Sequence, residues 1–208
     1  MNDSPAMLRL LEQFHLAQIV CLGDLMLDRY VYGAVERISA EAPIPIIREE
    51  RDESMLGGVG NVARNIAAAG GRAHLLALNG DDAAGVEVSE KIASMAETGA
   101  GVGADLVIQP GRPTTVKTRY IAAGQQLLRA DRETTETITA ADSEALLSHL
   151  DNALAEADVL VLSDYGKGVL SDDLLAAAIA RARAAKVLTI ADPKRHDLSV
   201  YAGVDFLK

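Results

Sequence analysis

The sequence predicts an α/β chain: a parallel sheet with helices on both faces, plus a small β lid. Three observations carry that prediction. Short apolar runs alternate with segments of helical period. A length of 208 residues suits one domain of this kind. Two charged stretches of strand-like pattern interrupt the alternation.

The strand candidates are AQIVCLG (17–23), AHLLALNG (73–80), ADLVIQ (104–109), DVLVLSD (158–164) and KVLTIADP (186–193). Helical patterns lie between them at 59–69, 83–98, 141–156 and 171–185, with Asp142 and Ser171 as N-caps of the last two. The opening MNDSPAMLRLLEQFHL reads as a short amphipathic helix rather than a secretory signal. Alternating strands and helices build a parallel sheet, in which ligands sit at the carboxyl ends of the strands. The two interruptions, 28–53 and 113–133, read as hairpins with turn signals at Ala42-Pro43 and at Gly124. Period-2 alternation puts Lys117 and Arg119 on one face of a strand, with Leu127, Arg129 and Asp131 together on another. Charged residues that share a face with apolar ones suit a sheet that covers a site, so these segments are read as lid insertions.

Composition narrows the ligand. The net charge is −10, from 30 acidic and 20 basic residues, which excludes a broad nucleic-acid surface. A few local cations can still serve a small anionic molecule. Tryptophan is absent and aromatics are scarce, so stacking platforms for single strands are not expected. Cys21, the one cysteine, lies in IVCLG and reads as a buried strand thiol. The four histidines are far apart and lack metal-ligand spacing. No apolar run reaches membrane-spanning length, and the expected location is the cytoplasm.

The motif richest in chemistry is MLGGVGNVARNIAAAGG (55–71). Glycines 57, 58 and 60 run into Asn61 and a helix of small residues. Bare peptide, a carboxamide and a helix N-terminus within so few residues suit a polar ligand. Gly58-x-Gly60-x-x-Ala63 also spells a dinucleotide fingerprint, but such a fingerprint must follow a hydrophobic strand, and REERDESML is not one. TGAGVGAD (98–105) precedes a strand, so it reads as a helix-terminal glycine and a loop. LGDLMLDRY places Asp24 and Asp28 just beyond the first strand; Asp28 is assigned to ligand hydroxyls and Asp24 to structure. VLSDYGKGVLSDD sets Asp164, Tyr165 and Lys167 after a strand, and IADPKRHD repeats the arrangement with Lys194. A lysine beside glycines at a strand end can reach a phosphate. Two of them after successive parallel strands fall on one edge of the sheet.

Together these residues resemble the ribokinase-like carbohydrate kinases. GG…NVA at 57–63, Gly70 and Gly80 look like that family's first signature, with Val59 standing where the family prefers a small residue. GDLMLDRYVYG, RISAEAPIPI, GGVGNVARNIA, QQLLRAD, SDYGKGVL and DPK are most similar to the branch acting on D-glycero-β-D-manno-heptose 7-phosphate. The resemblance implies a ribokinase-like three-layer fold. It implies transfer of the γ-phosphoryl of ATP, with Mg²⁺, to O1 of that sugar, giving the 1,7-bisphosphate on the route to ADP-heptose and lipopolysaccharide core. Substrate contacts would fall to Asp28, Gly57, Gly58, Asn61, Asp164 and Lys167, with Lys117, Arg119 and Arg129 at the 7-phosphate. Lys194 would serve the nucleotide, and copies would pair through the lid. The family's GAGD loop, which carries its catalytic Asp, and its Asn-x-x-Glu element are not spelled in 1–208. The catalytic Asp is therefore expected beyond Lys208, with residues 1–208 the N-terminal portion of a kinase domain that does not turn over alone. The alternatives are a non-catalytic sugar-phosphate-binding protein on the same fold, or another sugar kinase of the family.

Overall fold

The apolar run that begins at Gln18 does not stop at Gly23. In this computed structural model, which describes residues 12–97 and 101–208, strand β1 continues from Gln18 to Ile38. Its first residues, apolar on both faces, lie inside a parallel sheet. They pair with β3 (Arg72–Gly80) on one side and β7 (Val159–Ser163) on the other. Strand β4 (Val102–Gln109) flanks β3, while β8 (Leu188–Asp192) and β9 (Phe206–Leu207) extend the opposite side. The order is β4-β3-β1-β7-β8-β9, every neighbouring pair parallel.

Four helices connect these strands: α1 (Val59–Ala68), α2 (Ala83–Glu97), α3 (Ala140–Leu154) and α4 (Asp172–Ala185). Ser171 caps α4 as expected, its side chain accepting the Leu174 N–H. The cap of α3 is Thr139, not Asp142. Thr139 has the extended backbone a cap requires, and its hydroxyl oxygen accepts the Asp142 N–H at 3.1 Å. Asp142 sits in the first turn instead, where its charge suits the helix dipole and its carboxylate takes the Thr139 hydroxyl at 2.6 Å.

Strand alternation sorts the core into two layers. Leu22, Leu76, Leu160 and Leu162 face Leu146 and Leu150 of α3 and Leu174 of α4. Cys21, Leu75 and Ala77 face Val59 and Ala63 of α1 and Val88 of α2. Each fully buried leucine contributes on the order of 1.5–3 kcal/mol by leaving water. Burial pushes the Cys21 thiol up to about 12, so it packs as a small hydrophobe at neutral pH.

Past Asp24, β1 changes sheets. Residues 26–33 pair in parallel with β5 (Thr115–Ala122), and residues 25–38 pair antiparallel with β2 (Pro45–Gly58). Strand β6 (Gln125–Arg132) then pairs with β5, giving a second sheet ordered β2-β1-β5-β6. The aromatic and β-branched residues of RYVYGAV favour continued extension, which is why the first strand outruns the expected 17–23. Its turns fall at 39–44 and at Ala123-Gly124, matching the turn signals; Ala123 and Gly124 both take positive φ. Most of the opening helical pattern, and residues 98–100 of the TGAGVGAD segment, lie outside the described residues. Phe14–Leu16 forms a 3-10 turn, and β4 begins directly after Gly101.

Leu160→Ala, at a fully buried central position, should lower unfolding stability by about 2–5 kcal/mol in denaturant titration. Leu128→Ala, on the exposed face of β6, should stay within about 0.5 kcal/mol of the parent.

Candidate functional site

The register of the second sheet decides which side chains share a face. Asp28 lies between Met55 of β2 and Lys117 of β5, and Lys117 lies opposite Asp131 of β6. Two residues further along, Tyr30, Arg119 and Arg129 align in the same way. Directly paired residues project to the same side. Asp28, Lys117, Arg119, Arg129 and Asp131 therefore form one polar face. Leu127, expected to accompany Arg129 and Asp131, falls in a register break opposite Tyr120 and Ile121 and leaves that row. The opposite face is fixed to α2: Glu87 accepts hydrogen bonds from Arg29, at 2.6 Å, and from the Ser54 hydroxyl.

Strand β2 delivers Gly57 and Gly58 to this face and runs straight into α1. A Cβ at Gly57 would lie 2.4 Å from Asp28 Oδ2, so any side chain there would displace the carboxylate. Gly58 has φ +56, a conformation other residues resist, and it is the N-cap of α1. It offers no side-chain cap, and the first turn of α1 holds no acid. The leading N–H groups of the helix are thus left to an outside partner, with the dipole's positive end beside them. Asn61 stands exposed on that same turn. Bare peptide, the helix N-terminus and the Asp28 carboxylate lie together here, with Asn61 on the first turn. Asp24 and Asp28 both lie within β1 rather than beyond it.

A chain of ion pairs crosses the polar face. Arg119 Nη1 is 2.7 Å from Asp28 Oδ1, with its guanidinium 5.1 Å from the Tyr30 ring centre. Lys117 Nζ lies 2.9 Å from Asp131 and 2.9 Å from Glu133. Arg129 Nε is 2.9 Å from Asp131, and Lys167 Nζ is 2.7 Å from Glu133. Burial alone would pull the Lys117 pKa down, but its hydrogen bonds to Asp131 and Glu133 outweigh burial and hold it above its ordinary value. Hydrogen bonds from Lys117 hold Asp131 below its ordinary value, against a smaller opposing effect of burial. Lys117, Arg119, Arg129 and Lys167, expected at the sugar phosphate, thus each already have a carboxylate partner. The sequence placed Asp131 on a face with Arg129 without assigning it a role, and did not single out Glu133, though the alternation in RADRE, with charges at 129, 131 and 133, carries the signal.

The loop after β7 is fastened from below. Asp24 is fully buried; its Oδ2 accepts the N–H of Tyr165 at 2.7 Å and of Lys167 at 3.1 Å, and its Oδ1 accepts that of Val169 at 3.2 Å. Burial raises its pKa, and these three bonds only partly oppose the rise. Arg112 donates to the carbonyls of Lys167, at 2.6 Å, and Glu136, at 2.9 Å. Lys167 is therefore held through both its N–H and its carbonyl. Asp164 is turned inward: it is 1% exposed and accepts from Gly166 N, Arg195 Nε and the Tyr201 hydroxyl. A buried carboxylate needs such partners, and with them in place Asp164 is engaged inside the protein rather than presented to a ligand as expected. Lys194 is exposed at the end of β8, its ammonium 5.5 Å from the Tyr165 ring centre.

A cavity of about 540 Å³ adjoins this loop, bordered by Thr135, Thr137, Gly166, Gly168 and Arg195. Another, of about 620 Å³, lies at the far end of the parallel sheet beside Arg72, His74 and Asp105. Neither is lined by Asp28 or Asn61. Among the described residues, no group of three or more His, Cys, Asp or Glu is placed to hold a metal ion.

The model of the pfkB family carbohydrate kinases matches residues 16–208. The chain belongs to that family. Its relatives include the "Bifunctional protein HldE" of Caulobacter sp. strain K31, 49% identical over 208 residues, covering all of this chain and 41% of that protein. The protein of the same name from Paramagnetospirillum magneticum is 45% identical over 203 residues, covering 98% of this chain and 41% of that one. The chain thus spans about two-fifths of the length of these relatives. Among solved structures, a possible 1-phosphofructokinase from Thermotoga maritima superposes with a TM-score of 0.67 at 16% identity, over 91% of this chain and 57% of that one. Arabidopsis thaliana ribokinase complexed with ribose and ATP gives 0.61 at 17% identity, over 92% and 59%. At such identities the likeness speaks for the fold.

Asp24→Asn turns one acceptor into a donor that faces a backbone N–H, which should cost about 1–3 kcal/mol. Hydrogen exchange should quicken at the amides of Tyr165, Lys167 and Val169. Acid should weaken the second sheet. Asp131, Glu133 and Asp82 all sit below their ordinary values, so the unfolded chain takes up protons first as the pH falls. Their stabilisation is present above the unfolded carboxylate range and is lost as pH drops through about 4 and below. Thermal unfolding across that range should show the decline.

Proposed function

We propose that this chain forms the sugar-phosphate-binding portion of an ATP-dependent kinase that phosphorylates D-glycero-β-D-manno-heptose 7-phosphate at O1. The observation that carries the reading is the single face holding Asp28 against Gly57, beside the uncapped start of α1, with Lys117, Arg119 and Arg129 in adjoining rows. A sugar needs hydroxyl acceptors and donors, which Asp28 and Asn61 supply. A phosphate needs cations, and the neighbouring strands bring three. The motif resemblance to heptose 7-phosphate kinases, and relatives 45–49% identical over nearly the whole chain, support that sugar over hexose phosphates.

In this reading Asp28 and Asn61 orient the sugar hydroxyls, and Gly57 and Gly58 admit it close to the peptide. Lys117, Arg119, Arg129 and Lys167 bind the phosphate already on the sugar. Lys194 faces the side where a nucleotide phosphate would approach. The donors on these residues do not amount to a nucleotide and metal site: at that strand end Arg195 and Lys208 are already paired with Asp164 and Asp192, and among the described residues no carboxylate cluster is placed to hold a metal ion. ATP and Mg²⁺ would supply the transferred phosphoryl and its charge neutralisation. Pairing of two copies through the second sheet is supported by Val35, Ile38, Ile44 and Leu128, all exposed there. No described helix is long and apolar enough to cross a membrane, in keeping with a cytoplasmic role.

Calorimetric titration with D-glycero-β-D-manno-heptose 7-phosphate tests the reading. Asp28→Asn and Asn61→Ala should each weaken binding by about tenfold or more, a loss of ~1.4 kcal/mol or greater. The thermal midpoints should stay close to that of the parent. Unchanged affinity in both variants would contradict it.

A further inference from the structure

Glu133 joins the second sheet to the parallel sheet. It follows directly on β6, and its two carboxylate oxygens go to different lysines: Oε1 lies 2.7 Å from Lys167 Nζ and Oε2 lies 2.9 Å from Lys117 Nζ. The lysine side chains are only 16% and 12% exposed, and that of Glu133 is 26% exposed. An anion bridging two half-sheltered ammoniums, one oxygen to each, occupies the place a phosphate group would take between them.

The cations are fixed and the anion is not. Lys117 sits within the ladder between β1 and β6 and keeps Asp131 as a second partner. Lys167 is held by Asp24 at its N–H and by Arg112 at its carbonyl. Glu133, by contrast, lies one residue beyond the last ladder pair, Val116 with Arg132, at the head of the irregular segment 133–139. Its carboxylate can swing out without breaking a strand hydrogen bond. Charge balance points the same way. Lys117, Lys167, Arg119 and Arg129 face Asp28, Asp131 and Glu133, which leaves one net positive charge. A phosphate monoester carries roughly −1.5 to −2 near neutral pH. With Glu133 displaced the cluster has two net positive charges, a close match.

We propose that Glu133 is an internal counter-anion seated between Lys117 and Lys167, displaced by the phosphate of an incoming sugar phosphate and selecting such ligands over singly charged or neutral ones. The nature of the sugar rests on the function proposed above; the phosphate seat rests on the two lysines alone. A monoanion gains too little from the lysine pair to replace a carboxylate already bonded to both. A dianion gains more from each of them. Removing the Glu133 charge should therefore strengthen phosphate binding, whereas a residue that merely props up the site would weaken it when changed.

Titration of the 208-residue chain with inorganic phosphate and with D-glycero-β-D-manno-heptose 7-phosphate separates the possibilities. Glu133→Gln should bind inorganic phosphate about three- to tenfold more tightly than the parent, and Lys167→Gln in the same chain should abolish the gain. The heptose phosphate should gain similarly, while acetate, nearly excluded by the parent, should bind measurably to Glu133→Gln. Glu133→Asp, too short to reach both lysines, should show a smaller gain and supplies the sign should the Gln variant fail to fold. Equal or weaker phosphate binding by these variants would overturn the role of Glu133. Tight heptose phosphate binding by the parent alongside that result would leave the substrate reading standing. A phosphate gain in a chain that ignores the heptose phosphate would keep the Glu133 role and remove the substrate reading.

Discussion

One strand belongs to two sheets, and the candidate site exists because of it. Up to Asp24, β1 is the buried centre of a parallel sheet; from Leu25 onward it is a ribbon paired to β2 and β5. The polar face around Asp28 is thereby carried on the same rigid element as the core, four residues from the switch. Asp24 marks the switch itself. A carboxylate with no exposure needs donors, and it finds them in the backbone of the loop after β7. The same interaction that satisfies a buried charge therefore sets the height of Lys167 beneath the second sheet.

Electrostatics then explain how so many charges coexist in a small area. Along the face, cations and carboxylates alternate as Arg129, Asp131, Lys117, Glu133 and Lys167, each within 2.9 Å of the next. Pairs near a surface add little stability singly once desolvation is counted. Their effect is positional, since Asp131, Lys117 and Glu133 are each steered by two neighbours. A ligand that enters must trade against existing bonds rather than fill empty positive charge, which makes its own charge a criterion for entry.

Much of this was legible in the chain. The alternation of apolar runs and helical patterns located the strands and helices of the parallel sheet to within a few residues at most ends, because burial on both faces leaves a plain signal. The glycine pair before Asn61 announced a place where side chains are excluded, and the carboxylate of Asp28 against Gly57 supplies the reason. What was not legible depends on partners distant in sequence. The joining of the core strand to the hairpin strand as one element is supported by pairing of residues 26–33 with β5, some ninety residues away. The inward turn of Asp164 follows from Arg195 and Tyr201. Asp142 passed for a cap because its type is right, whereas Thr139 has the backbone geometry.

The most direct measurement is an amide chemical-shift map of the chain as D-glycero-β-D-manno-heptose 7-phosphate is added. If the switch in β1 builds the site, the signals that move first and furthest should be those of Asp28, Gly57, Gly58 and Asn61, with Lys117 and Lys167 beside them. Movement confined to the opposite end of the sheet, around Arg72, His74 and Asp105, would contradict the account.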